Sequence, residues 1–334
     1  MSDQATMKQD GVTLSVAEAT AFAERALARI GFSPEESQVI AGHLIDSELC
    51  GYPAIGLSRI LTVAQHPRMK EPRTAPRVVH ETPLSALIDG GNTVGLYAVQ
   101  RAAQVAIDKA RASRVALVGM HNSYLSGRNA YYVEMIARAG FVAIHTACSR
   151  PVVAPLGGRA PAFGTNPIAF ALPAEPDPLI LDMGTASLNH GDVILAARLH
   201  RLLPEGTAID ADGESTRDPA AALAGAILPF GGHKGHGLSF AIQALGLLAG
   251  AALPRGQVQD FAFLFVVFDP GLLVEPDQLR GDLAELVGRV TATPRQPGVD
   301  EILVPSQRAW RERERGRKQG IALDRRLYDA IGAL

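Results

Sequence analysis

The stretch GTNPIAFALPAEPDPLILDMGTAS, residues 164–187, carries two short apolar runs, 168–172 and 179–182, separated by Pro173, Pro176 and Pro178. Short apolar runs bounded by Gly and Pro read as strands, so the segment is predicted to be a strand pair on a Pro-rich turn. Upstream of it the pattern predicts strands at 84–89, 115–119 and 141–146, with helices at 94–112 and 129–139 between them. Downstream it predicts helices at 192–201, 219–226, 234–251 and 276–287, a continuously apolar strand at 261–268, an extended 301–304 and a helical C-terminus. Nearer the start, Ser15 with Glu18 and Ser33 with Glu36 form capping-box patterns that open helices running to about residues 30 and 50. Arg59 falls on a short helical turn, and a Pro-rich stretch at 67–83 closes an all-helical unit. The fold class is therefore α/β without a clean alternation of strand and helix. Two parts are expected: a helical unit at 1–83 that packs with 305–334, and an α/β cofactor-binding and catalytic domain at 84–304.

Composition narrows the partners. The 334 residues include 32 basic and 34 acidic side chains, a net charge of −2, so no basic surplus draws the chain to nucleic acid or an anionic membrane. The densest basic cluster, 308–320, is interleaved with Glu312 and Glu314 and reads as a solvated helix face. The polar opening MSDQATMKQD lacks the apolar core of a signal peptide, and the apolar run 238–253 is short and interrupted by Ser239 and Gln243, which reads as a buried helix. Cys50 and Cys148 stand far apart without a CxxC partner, so buried reduced thiols and a cytoplasmic location are expected. His233 and His236 share a helix face three residues apart but lack a third ligand, so no metal is expected.

The fingerprints of the Rossmann dinucleotide site, the phosphate-binding P-loop, zinc proteases and serine hydrolases are all missing from the sequence. What remains is a set of Gly-dense polar segments: 157–167, 181–191 and PFGGHKGHG at 229–237. The last precedes an apolar helix. Free N–H groups at a helix start suit an anion, and Lys234 would add a point charge there; an ordinary Gly-rich turn with an exposed lysine explains the same residues. His121 follows the 115–119 run, where an imidazole would be placed to trade protons near neutral pH.

Taken in order, GTNPIAFALP, LILDMGTAS and GGHKGHGLS resemble the corresponding blocks of the type-2 malate/L-lactate dehydrogenase family. That family includes sulfolactate and ureidoglycolate dehydrogenases, diketogulonate reductases and reductases of cyclic imino acids. The resemblance runs from about residue 13 to the end and takes in the block around Arg59, TRDPAAALAG at 216–225 and GIALD at 320–324. It implies a three-layer, non-Rossmann α/β fold with a largely antiparallel sheet, a helical N-terminal unit, an NAD or NADP cofactor and a homodimer. By the same resemblance, Cys148, Ser149, Gly164, Asp182, Met183, Gly184, Thr185, His233, Lys234, Ser306 and Gln307 would contact the cofactor. Thr165 and Asn166 would line the substrate region, Arg59 would clamp the substrate carboxylate, and His121 would match the acid/base histidine of the ureidoglycolate branch.

Two departures from the family pattern bear on chemistry. The usual Ser-His-Gly-x-x-Arg reads Ala54-Ile55-Gly56-Leu57-Ser58-Arg59, which deletes one proton donor while keeping the arginine. The usual Pro-Gly-Glu or Pro-Gly-Gln reads Pro305-Ser306-Gln307, where Ser narrows the backbone freedom that Gly allows. The leading expectation is hydride transfer between NAD(P)H and a small 2-oxo, 2-hydroxy or cyclic 2-imino carboxylate. The other reading is a family member that binds a metabolite or nucleotide without turnover.

Overall fold

The computed structural model describes residues 11–251 and 261–334, so the polar opening and the end of the 238–253 run lie outside the described residues. The chain opens with strand β1 (Gly11–Leu14), then helices α1 (Val16–Arg29), α2 (Pro34–Leu49) and α3 (Arg59–Ala64). Strands β2 (Arg77–Glu81) and β3 (Ser85–Val94) lead to helix α4 (Gly95–Ser113), strand β4 (Val115–Tyr124), helix α5 (Asn129–Arg138) and strand β5 (Val142–Cys148). Next come β6 (Ile168–Leu172), β7 (Leu179–Met183), α6 (His190–Arg198), β8 (Ala208–Ile209), α7 (Pro219–Ala224) and β9 (Ala226–Ile227). The order closes with α8 (His233–Leu248), β10 (Phe261–Phe268), α9 (Pro276–Thr291), α10 (Gln307–Gln319), β11 (Ile321–Asp324) and α11 (Arg325–Gly332).

Contacts divide the chain into one unit of residues 1–72 with 307–334 and a second of 73–306. The first is mostly helical. Both capping boxes form, with Ser15 and Ser33 each accepting the N–H three residues on and Glu18 and Glu36 reaching back. It also holds a feature the sequence reading missed: β1 pairs antiparallel with β11, Gly11 opposite Asp324. The C-terminus is thus helix, strand, helix rather than helical throughout. A four-residue ladder closed across some three hundred residues leaves no local periodicity to read.

The second unit is built on a seven-stranded sheet in the order β2-β3-β4-β10-β5-β6-β7. Only β3 and β4 run parallel; the other five neighbouring pairs are antiparallel. The 164–187 stretch forms the edge hairpin, with Ile168 opposite Met183 and Leu172 opposite Leu179. Helices cover both faces. On one, Tyr132 of α5 meets the ring of His145 edge-on at 5.9 Å, and His145 stacks on Phe265 at 3.9 Å. On the other, Gly246 of α8 presses on Cys148, which packs with Ala249, Ala262 and Leu264. Alternation along β5 and β10 puts these two sets on opposite sides.

Three expectations need correction. The stretch 67–83 is not all helical, because Arg77–Glu81 is an exposed edge strand paired to β3. Its charged residues fit an edge that must not recruit another strand, and they hide it from a hydrophobic pattern. β4 continues five residues past Gly119, so His121 lies within a strand rather than after one. Helix α8 is not buried all round: Gly235, Ser239, Ile242 and Gly246 face inward, while Phe240 is 62% and Leu248 75% exposed.

Candidate functional site

One end of the sheet gathers most of the residues singled out from the sequence. The end of β5, the start of β6 and the end of β7 coincide there, with Thr146 opposite Ile168 and Ile168 opposite Met183. The loops beyond these strands carry Ser149, Gly164, Thr165, Asn166, Gly184 and Thr185. They are bound tightly to one another. Thr185 donates both its N–H (2.9 Å) and its hydroxyl (3.0 Å) to the Thr165 carbonyl. A Cβ at Gly164 would lie 2.4 Å from Ser149 Oγ and 2.9 Å from Ser149 N, so only glycine permits that approach.

Helix α8 starts against the same loops. Gly231 and Gly232 both take left-handed φ values, +54° and +61°, which turn the chain sharply into the helix. The Phe230 N–H donates to the Thr185 carbonyl at 3.0 Å, and a Cβ at Gly235 would lie 2.7 Å from that oxygen. Lys234 and His233 stand exposed at this helix start, and no described residue pairs with the Lys234 ammonium. His236 turns inward, where its Nδ1 accepts the Leu156 N–H at 3.2 Å. The residues present fit a phosphate-bearing cofactor: a helix start, a glycine turn and an uncompensated lysine meet a glycine-cleared loop.

Several of the other side chains singled out from the sequence make structural contacts. Asn166 is fully buried, and its Nδ2 reaches Ser239 O at 3.0 Å and Gln243 Oε1 at 3.0 Å, so it staples its loop to α8. Thr165 keeps the freer side chain of the pair. Asp182 caps α5, its Oδ2 accepting the Ala130 N–H at 2.7 Å; burial raises its pKa, opposed by that bond and by the Arg128 charge. The Cys148 thiol belongs to the core beneath α8. Met183 is the last residue of β7, partly buried. Ser306 adopts φ +66° and donates its hydroxyl to the Ile180 carbonyl at 2.6 Å, which fastens it to the edge strand β7. Gln307 opens α10 in the other unit.

His121 lies on β4 at the same end of the sheet, level with Cys148 across the intervening strand β10, since Met120 pairs with Phe263 and Phe263 with Ala147. Its ring packs on Gly250, just past the C-terminus of α8; a Cβ there would lie 2.6 Å from Cδ2. The sixteen residues of α8 put roughly 24 Å between that point and the helix start at Lys234. The nearest acid in register is Asp89, which accepts from Gly91 N (2.9 Å) and Asn122 Nδ2 (2.7 Å). Burial would raise its pKa, but these bonds and the charges of His121 and Arg77 take it below the usual carboxylate value.

Arg59 lies in the helical unit, buried at the first turn of α3. The turn before it contains a group that sequence reasoning missed. Glu48 of α2 accepts the Leu57 N–H at 2.7 Å, and burial lifts its pKa to about 7 against the pull of that bond. Two further groups went unnoticed, Arg150 and His190. Arg150 directly follows Ser149 at a strand end, a position that deserved the same suspicion as His121. Among the described residues, no group of three or more His, Cys, Asp and Glu side chains is arranged to hold a metal, and no helix is long and apolar enough to cross a membrane.

Comparison with known proteins finds relatives along nearly the whole chain. A family model described as malate/L-lactate dehydrogenase matches residues 14–332. The chain is 35% identical over 310 residues to L-sulfolactate dehydrogenase of Methanothermobacter thermautotrophicus, covering 89% of each chain. It is 38% identical over 252 residues to the Delta(1)-pyrroline-2-carboxylate/Delta(1)-piperideine-2-carboxylate reductase of Pseudomonas putida, covering 71% of each. Among solved structures, a putative malate/lactate dehydrogenase from E. coli superposes with a TM-score of 0.89 at 28% identity, covering 96% of this chain and 94% of that one.

Proposed function

Since the chain belongs to the malate/L-lactate dehydrogenase family, we propose that it is an NAD(P)-dependent oxidoreductase acting on a small 2-oxo/2-hydroxy acid or cyclic 2-imino acid. The observation that carries this reading is the convergence of Ser149, Gly164, Thr165, Thr185 and the Lys234 helix start at one end of the sheet. These residues would hold the cofactor, with Lys234 and the α8 N-terminus against phosphate and the Gly164 loop against the ring-bearing end. The nicotinamide supplies or accepts the hydride; the protein contributes binding, orientation and electrostatics. Relatives named as dehydrogenases and reductases favour turnover over binding alone.

Arg59 would take the substrate carboxylate through its planar fork. For the proton, His121 is the side chain to test first, because an imidazole titrates near cellular pH. His121→Ala costing roughly 10²–10⁴-fold in turnover would keep it. Near-full turnover would move the assignment to His190, which lies beside the cofactor loops. Arg59→Ala should raise KM and lower turnover together, since the clamp also orients the substrate. The reading as a whole is tested by NADH and NADPH oxidation on a panel of 2-oxo acids and cyclic imines. A chain that consumes neither cofactor with any of them is not this enzyme. A homodimer and a cytoplasmic location belong to the same proposal, supported by the apolar outer face of α8 and by two buried free cysteines.

A further inference from the structure

Arg150 leaves β5 directly after Ser149, and its Nη2 stands 3.4 Å from His190 Nε2. His190 is the first residue of α6, just inside the Asn189 cap, where the helix dipole is positive. The arrangement brings two basic side chains and a helix start together. Asp192, two residues on, completes the cap by accepting the Asn189 N–H and Nδ2 at 3.3 and 3.1 Å.

No described carboxylate pairs with Arg150. Two fully buried arginines are matched by carboxylates, Arg128 with Glu134 and Arg313 with Asp46. Arg150 is half-buried, and burial alone holds its pKa below the ordinary arginine range. Taking a guanidinium partly out of water costs free energy; the hydrogen bond to His190 returns part of it, and an anion would return more. The same loop residue, Ser149, abuts Gly164, so the uncompensated charge sits beside the loops assigned to the cofactor.

We propose that Arg150, His190 and the start of α6 form a binding site for an anionic group, either the second acidic group of a dianionic 2-oxo or 2-hydroxy acid or a cofactor phosphate. The proposal rests on the functional reading above for its place in the reaction, and the site itself is testable without turnover. The planar fork of Arg150 suits carboxylate, sulfonate and phosphate oxygens alike, and His190 donates as well once its ring is protonated.

The test compares the wild-type protein with Arg150→Gln and Arg150→Lys, reading ratios that a general loss of folding does not move. One ratio is kcat/KM for oxaloacetate over pyruvate, which differ by the second carboxylate. The other is affinity for NADPH over NADH, which differ by one phosphate. Arg150→Gln should lower one of them about ten-fold or more, with Arg150→Lys intermediate, as expected for a bidentate charge-assisted contact. A fall in the first ratio identifies the substrate's distal acid as the occupant, and a fall in the second identifies the cofactor phosphate. A third readout needs no substrate: sulfate, against chloride at equal ionic strength, should raise the Tm of the wild type more than that of Arg150→Gln. If the protein oxidises neither cofactor, the functional reading fails while the sulfate comparison still decides the site. Arg150→Gln leaving both ratios and the sulfate response unchanged overturns the proposal.

Discussion

At Glu48, the carboxyl group accepts the Leu57 N–H beneath Gly56, where a Cβ would lie 2.3 Å from its Oε1. Burial raises its pKa from 4.5 to about 7, so the folded chain holds a proton that the unfolded chain releases. Between those values the folded state binds more protons, and stability falls as pH rises from about 4.5 through about 7. Glu48→Gln keeps a carbonyl acceptor and removes the titration. It should match the wild type at acid pH and exceed it above neutrality by on the order of 1–3 kcal/mol, read from urea midpoints across pH. A pH-independent gap would refute the assignment. The sequence marks Ile55 as a lost proton donor but says nothing of Glu48, because the residue becomes interesting only when the 54–59 turn folds over it. Ser306 shows the same limit in reverse. Replacing Gly looked unfavourable for the backbone, yet the Ser306 hydroxyl finds the Ile180 carbonyl 126 positions away, a compensation no local pattern displays.

Among the elements, α8 carries the most consequences. It starts at the loops proposed to hold the cofactor, is stapled to them by Ser239 and Asn166, and crosses over Cys148 at Gly246. Lys234→Ala should weaken NAD(P)H binding roughly ten-fold or more, the scale of one charge-assisted contact, and calorimetry showing unchanged affinity for both reduced cofactors would remove the helix start from the site. A Cβ at Gly246 would lie 2.2 Å from Cys148 Sγ, inside the sheet's packed face. Gly246→Ala gains about 1 kcal/mol of helix propensity but forces α8 off the sheet, for a net loss of about 1–3 kcal/mol. Adding Cys148→Ala should recover much of that loss, and a double mutant that is merely additive would mean the strain lies elsewhere. Elements with their own punctuation were legible before folding: both capping boxes, the 168–182 hairpin and the apolar 261–268 strand. β1, β11 and β2 were not, since each is short, polar or exposed and exists only because a partner strand is supplied.

The connectivity of the whole sheet lay beyond local reading for a related reason. β10 enters between β4 and β5, pairing Phe263 with Met120 and Ala147 across more than a hundred intervening residues. Periodicity reports faces and not neighbours, so the antiparallel architecture came from resemblance rather than pattern. The same connectivity leaves α8 with one narrow stripe on the sheet and an apolar outer stripe formed by Phe240, Leu247 and Leu248, exposed by 62%, 45% and 75%. Large side chains grouped on one helix face exceed the scattered apolar exposure of an ordinary monomer and fit the proposed interface with another protein. A second copy of the chain is the simplest occupant, because a two-fold axis brings one such stripe against its own equivalent. The expected state is a dimer at micromolar concentration. Placing a carboxylate in that stripe, by Phe240→Asp or Leu248→Asp, would bury an unpaired charge in the interface while leaving the inward residues Ser239, Ile242 and Gly246 untouched. Sedimentation velocity should then show the variants as monomers with unchanged circular dichroism. A monomeric wild type would end the dimer proposal, and dimeric variants would move the interface away from α8.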